Sequence, residues 1–150
     1  QLIPAIFKSL SGRYEWHVLT DAKGLDTLKG VAGLHLHTAL SDAALDDLWQ
    51  KTDIFVHPSL WEGYCLPAAT ALSRGIPTIF TGGSGIDEVV GGAGLRLENT
   101  ASAEAWAAAI DAIGRPSEVW AERCIKQWSK LPGWAEVARH TQDLYGTLIA

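Results

Sequence analysis

The sequence contains no methionine, position 1 included, which reads as a piece excised from a longer chain or as a processed terminus. Cysteine is nearly absent. The two present, Cys65 and Cys124, have no metal-ligand spacing and make no disulfide framework, which fits a reducing compartment. No apolar run approaches the roughly 20 residues of a membrane span, and no signal-peptide pattern opens the chain. There is no excess of positive charge either. The net charge of −5 argues against a nucleic-acid or anionic-membrane surface, which needs clustered Lys and Arg. An anionic ligand would have to be held locally, by backbone amides. Internal repeats, low-complexity tracts and linkers are also lacking. With 47% apolar and 19% charged residues in 150, the chain is an ordinary globular one of a single domain, a size that buries roughly 68–70% of its extended-chain surface.

What is present centres on His57 to Phe80, HPSLWEGYCLPAATALSRGIPTIF. Ile54-Phe55-Val56 is short, apolar and bounded by polar residues, which predicts a buried strand. The chain turns through Pro58-Ser59 and Glu62-Gly63 into a helix opened by Pro67 and ended by Gly75 and Pro77. Thr78-Ile79-Phe80 follows as another strand. This strand–loop–helix–strand unit brings a helix N-terminus to the carboxyl edge of a sheet, where open α/β sheets bind ligands and where N–H groups and the helix dipole favour anions.

In chain order, residues 2–10 read as a helix with Leu2, Ile6 and Leu10 on one face. Strands are expected at Trp16 to Thr20, Leu34 to Thr38, Asp53 to His57, Pro77 to Phe80 and Leu95 to Leu97. Asp21 to Gly24 reads as a turn. Ser41 or Asp42 caps a helix whose Leu45, Leu48 and Trp49 share a face. Gly82-Gly83-Ser84-Gly85 reads as a loop before a short helix from Ile86 to Val90. After Asn99 only helical stripes remain: Trp106, Ala109, Ile110, Ile113; Val119, Trp120, Cys124, Trp128, Leu131; and Trp134 to Leu148. Strands alternating with helices predict an α/β, Rossmann-like three-layer domain over residues 1–150, with a parallel sheet of about five strands.

PSLWEGYCLP, then ALSRGIP, then GGSGIDEVVGGAGL closely resembles the core of the retaining glycosyltransferases of family 4. Thr38 to Leu48 resembles that family's strand end and following S-D-x-E-L helix, and Trp134 to Leu148 its terminal helix. The resemblance runs from about residue 5 onward. It implies the C-terminal half of a GT-B fold, the half that holds a nucleotide-sugar donor. It also implies that the domain's first strand and the N-terminal acceptor domain lie outside this chain, which alone should not transfer sugar. The implied chemistry is hexosyl transfer with retention, metal-independent and without a cofactor, from a nucleoside-diphosphate sugar to a saccharide or lipid-linked acceptor. Polysaccharide biosynthesis in the cytoplasm is the implied setting, with any peripheral membrane contact made through the absent part.

Carried onto this sequence, the resemblance assigns Glu62 as the catalytic carboxylate, accepting hydrogen bonds from sugar hydroxyls or balancing charge in an oxocarbenium-like transition state. The alternative for Glu62 is an acid favoured by the helix dipole alone. Gly63, Tyr64, Cys65 and Leu66 occupy the turn whose N–H groups would meet the donor, and a side chain at position 63 would obstruct that approach. Thr70 stands where the family has a second glutamate to grip the ribose. One hydroxyl in place of a carboxylate would weaken donor binding by about tenfold or more. Cys65 replaces a usual glycine. Gly83, in a loop that lacks the Walker spacing and lysine, is a donor contact or a plain connector. Glu88 matches the acid of the family's P-E-v-v-g segment, with Asp87 in place of the proline, and is a ligand contact or a helix-start acid.

Other features read more plainly. His35 and His37 share a strand face, an arrangement known in metal sites, but no acid or cysteine lies near them in sequence, and packing is the preferred reading. His57 is expected to be satisfied by local backbone. Trp106, Trp120, Trp128 and Trp134 are expected to fill the core, leaving Trp61 as a ligand neighbour. Cys65 stands at a helix start, a setting that can lower a thiol pKa, but no histidine partner can be placed from sequence. The competing function is a diverged GT-B-like module that binds without catalysis, with Thr70 marking loss of the ribose grip.

Overall fold

In the computed structural model, which describes residues 2–10, 12–115 and 117–149, strands and helices alternate as far as Leu97 and helices alone follow. The order is α1 (Leu2–Leu10), β1 (Trp16–Leu19), α2 (Ala22–Leu28), β2 (Leu34–His37), α3 (Asp42–Gln50), β3 (Phe55–His57), α4 (Leu66–Ser73), β4 (Thr78–Thr81), α5 (Ile86–Val90), β5 (Gly94–Leu97), α6 (Ala103–Ile113), α7 (Glu118–Trp128) and α8 (Trp134–Ile149). Every ladder is parallel, as short strands joined by helical crossovers require.

β4 is buried along its whole length and paired on both sides. Its alternating side chains divide the core. Ile79 packs with Ile6 and Leu10 of α1 and with Trp106, Ile110 and Ile113 of α6. Phe80 packs with Ala68 and Leu72 of α4, Val89 and Val90 of α5, and Cys124 of α7. Helices therefore cover both faces, and the three-layer α/β reading holds. The expected single sheet is divided: β1 pairs with β2, β4 pairs with both β3 and β5, and no ladder joins β1 to β3 among the described residues. Side chains bridge the division instead, since Trp16 of β1 and Val56 of β3 pack on the same α1–α6 cluster. Outside it, Arg13 makes a two-pronged ion pair with Asp111 of α6, 2.9 Å on each arm, and Tyr14 donates to the same carboxylate at 3.0 Å.

Asp21 to Gly24 is not a free turn but the start of α2. Asp21 caps it by accepting from the Gly24 N–H at 2.8 Å. Glycine is there for closeness, since a Cβ on Gly24 would lie 1.9 Å from Thr20 Oγ1. Ser41, rather than Asp42, caps α3. The tryptophans also divide. Trp106 is 1% exposed in the core and Trp120 is half-buried at its margin. Trp128 and Trp134 are 47% and 76% exposed, against expectation. The periodicity that put them on stripes was real, but α8 leaves Trp134, Leu144, Tyr145 and Leu148 facing outward.

The β4–β5 ladder depends on Gly94, where a Cβ would lie 2.1 Å from the Thr78 carbonyl oxygen, a backbone atom with no room to move. Gly94→Ala should lower the unfolding free energy by about 1–3 kcal/mol. Gly92→Ala, where a Cβ meets nothing within 4 Å, should change it by less than about 0.5 kcal/mol. Urea midpoints at constant m-value test the pair.

Candidate functional site

β3 ends at His57, and the chain leaves the sheet through Pro58 and Ser59 into the turn that carries Glu62. Three bonds fix that glutamate. Its N–H donates to Ser84 Oγ at 3.2 Å, its carbonyl accepts from the Gly85 N–H at 3.0 Å, and its Oε1 lies 2.7 Å from His57 Nε2. A Cβ on Gly85 would lie 1.5 Å from the Gly63 carbonyl oxygen, so only glycine lets the loop after β4 close on the turn after β3. His57 is thus satisfied by a carboxylate and not by local backbone. Its bond holds the Glu62 carboxyl below the usual range, outweighing the upward push of burial, with Ser59 adding to the effect.

Cys65 begins α4 in the left-handed region, with φ 60° and ψ 70°. It is the one non-glycine residue of positive φ among those described, at a cost of about 1–2 kcal/mol. This conformation accounts for the glycine that the resemblance places there. The side chain is buried against Ala68, Leu72 and Phe80. Burial pushes the thiol pKa up, and the Glu62 carboxylate adds to that, so the place at a helix start does not lower it. Desolvation exceeds what a helix N-terminus supplies.

The N–H groups of Gly63, Tyr64, Cys65 and Leu66 meet no acceptor among the described residues, and Gly63, Tyr64 and Leu66 are exposed. They form an open cluster of donors at the head of α4. A Cβ on Gly63 would meet nothing within 4 Å, so the protein's own packing does not demand glycine there. The Gly82–Gly85 loop differs. Asp87 Oδ2 accepts from the N–H groups of Gly83 and Ser84, at 2.5 and 3.0 Å, while Oδ1 takes Arg96 Nε at 2.9 Å. Burial alone would raise the Asp87 pKa, but these donors together hold it below the usual range. The second glycine loop thus carries an internal anion. Glu88 is exposed, and its backbone carbonyl accepts from Gln127 Nε2 at 3.1 Å.

Thr70 turns its hydroxyl back to the Leu66 carbonyl at 3.1 Å. It lines a pocket of about 180 Å³ between α3 and α4 with Asp42, Leu45, Asp46, Trp49 and Arg74, where Arg74 is paired with Asp46. Rings connect this pocket to the glutamate: Trp49 lies 5.4 Å from Phe55, and Phe55 stacks 5.6 Å from His57. Trp61, beside Glu62, is 77% exposed. A larger pocket, about 460 Å³, opens where the sheet divides, lined by Leu2 to Pro4 of α1, Thr20, Lys23 and Pro58. Sequence reading named Gly83 but missed Ser84 and Gly85, and it discounted His57. The spacing of Asp87, four residues past Gly83, was the available sign that the loop amides had an internal partner.

Two outcomes follow from this geometry. Cys65→Val, forcing a β-branched residue into the left-handed region, should destabilise the fold by about 2 kcal/mol or more, while Cys65→Gly stays within about 1 kcal/mol, read by urea denaturation. His57→Ala should raise the Glu62 pKa toward its ordinary value in a carboxyl-carbon NMR titration. In the wild type the stabilisation from ionised Glu62 is complete above the ordinary carboxylate pKa and is lost as pH falls through the lowered one.

A family model described as "Glycosyl transferases group 1" matches residues 2–115. The chain is 29% identical over 126 residues to an MMP alpha-(1->4)-mannosyltransferase of Mycolicibacterium hassiacum, covering 78% of this chain and 30% of that protein. It is 41% identical over 54 residues to an O-antigen chain mannosyltransferase B of Escherichia coli, covering 36% of this chain and 14% of that protein. The chain therefore spans less than a third of the length of either curated relative. Among solved structures, a sucrose-phosphate synthase of Thermosynechococcus elongatus superposes with a TM-score of 0.74 at 18% identity, over 97% of this chain and 42% of that one. The C-terminal domain of a glycosyl transferase group 1 family protein from Francisella tularensis superposes at 0.62 and 19% identity, over 85% of this chain and 73% of that domain. These likenesses show the fold, that of a GT-B C-terminal domain, while the match over most of the chain shows the family: the chain belongs to the glycosyl transferases of group 1.

Proposed function

We propose that this chain is the donor-binding C-terminal domain of a retaining, family 4 glycosyltransferase. The observation that carries the reading is the open cluster of N–H groups from Gly63 to Leu66 beside an ionised, fixed Glu62. Donors without an acceptor among the described residues at the head of an eight-residue helix suit a diphosphate, which the net charge of −5 would otherwise repel. Glu62 then sits beside the sugar. As the bond from C1 to the diphosphate oxygen breaks and the acceptor oxygen bonds to C1 on the same face, its carboxylate offsets the positive charge on the ring. The acceptor's proton ends on the leaving diphosphate. No metal is required, because the backbone amides take the developing negative charge.

The pocket between α3 and α4 suits the nucleoside. Thr70 offers one hydroxyl there, Asp46 is engaged by Arg74, and Asp42 is the remaining carboxylate for ribose hydroxyls. Gly83 would reach the donor only by exchanging Asp87 for it, and exposed Glu88 is a second-rank contact. The names of the two curated relatives favour a mannosyl donor. The division of the sheet supports the domain reading: one further parallel strand between β1 and β3, from chain outside these residues, would give the doubly wound order β2-β1-x-β3-β4-β5. The acceptor, saccharide or lipid-linked, would be held by a second domain outside this chain, so the 150 residues alone would not transfer sugar. The Thr70 hydroxyl, donated to the Leu66 carbonyl of its own helix, favours the second reading, a module that binds without catalysis.

Calorimetric titration of the full-length protein with GDP-mannose, UDP-glucose and ADP-glucose should show saturable binding of one donor. Thr70→Glu should tighten it about tenfold. Glu62→Gln should leave donor binding within a few-fold and cut transfer by about a hundredfold or more. Binding with no transfer would establish the non-catalytic module, and no binding at all would sink both readings.

A further inference from the structure

The pairing of β1 with β2 assembles four candidate metal ligands that are far apart in sequence. Glu15 and His17 lie two residues apart, as do His35 and His37, and the register sets His17 directly against His35. All four therefore project from one face of the two-stranded ladder, the face opposite the half-buried Trp16, Val18, Leu34 and Leu36. Glu15, His17 and His35 are exposed. Glu15 Oε1 is 3.0 Å from His17 Nε2 and 3.5 Å from His35 Nε2, and the three ligand atoms lie within 4.8 Å of one another. Ligands around a tetrahedral zinc ion at about 2.0–2.1 Å are separated by about 3.3 Å, close to the two Glu15 spacings, so small side-chain adjustments would close the three atoms onto one ion. We propose that Glu15, His17 and His35 form a binding site for a divalent transition-metal ion of the zinc class, with His37 orienting His17.

The outer contact fits that role. Coordination through His17 Nε2 leaves its proton on Nδ1, and Nδ1 lies 2.9 Å from His37 Nε2. A metal-bound histidine donates its other ring N–H to an acceptor that fixes its tautomer and orientation. The rings are already nearly parallel, 15° between His17 and His35 and 11° between His17 and His37. Two imidazoles and a carboxylate suit zinc, with a further position for water, and the Irving–Williams order allows copper at higher affinity. The ion would cross-link β1 to β2. It shares no ligand with the cluster of His57, Glu62 and Cys65.

The test is titration of chelator-stripped protein with Zn²⁺ by calorimetry and with Co²⁺ by visible absorption. One ion per chain should bind saturably, with cobalt d–d bands and no thiolate charge-transfer band. His17→Ala and the milder His35→Gln should abolish saturable binding while circular dichroism stays unchanged, since neither side chain is in the core. His37→Ala should weaken it about tenfold or more. Absence of saturable binding, affinity unchanged in the His17 and His35 variants, or a thiolate band placing the metal on Cys65 would each overturn the proposal.

Discussion

The contact on which the site depends is the approach of Gly85 to the backbone of Glu62 and Gly63. No side chain fits there, and the Gly85 N–H bonds the Glu62 carbonyl. Two loops leaving neighbouring strands of one ladder are thereby fastened to each other. Ser84 holds the Glu62 N–H and His57 holds its carboxylate, so a residue on a loop is fixed as firmly as one on a strand. Such fixing is what a charge-stabilising group needs, because a carboxylate that must reorganise during reaction loses most of its electrostatic effect.

The two glycine-bearing loops at the sheet edge look alike in sequence and differ in electrostatic state. One presents N–H groups from Gly63 to Leu66 that meet no acceptor among the described residues. The other has its N–H groups satisfied by Asp87, itself bridged through Arg96 to Glu98. Chains of ion pairs at this exposure add little to stability, but they leave the second loop's N–H groups already occupied by a carboxylate. Cys65 makes a similar distinction within the first loop. Its left-handed backbone keeps the shape that glycine would give, and its buried thiol adds packing that glycine would not.

The sequence made legible what depends on local pattern. The helix of Leu66–Ser73 between Pro67 and Gly75, the short helix at Ile86, the capping serine before α3 and all five strands were readable because their signals lie within a few residues. What depends on distant partners was not. Asp21 to Gly24 has the composition of a turn, and only the closeness of Thr20 shows why a glycine belongs inside a helix there. His57 has no sequence mark distinguishing a backbone-satisfied ring from one bonded to Glu62. His35 and His37 lacked an acid nearby in sequence, and the register of β1 supplied it. Trp134 has helical spacing whether or not a second surface covers it.

The division of the sheet separates the strands that carry the site from those that do not. β4 exchanges hydrogen bonds on both flanks and is sealed from water, so its amides open only when the whole body unfolds. β1 and β2 have only each other, and an isolated strand pair is marginal in water. Their place is kept by side chains, chiefly the edge-on contact of Trp16 with Phe7 of α1. The segment from Trp16 to His37 is thus joined to the rest of the described fold by side-chain packing and not by a shared ladder. Glu62, His57 and Gly85 all belong to the other ladder and its loops, so the hold on the carboxylate is independent of how β1 and β2 are seated.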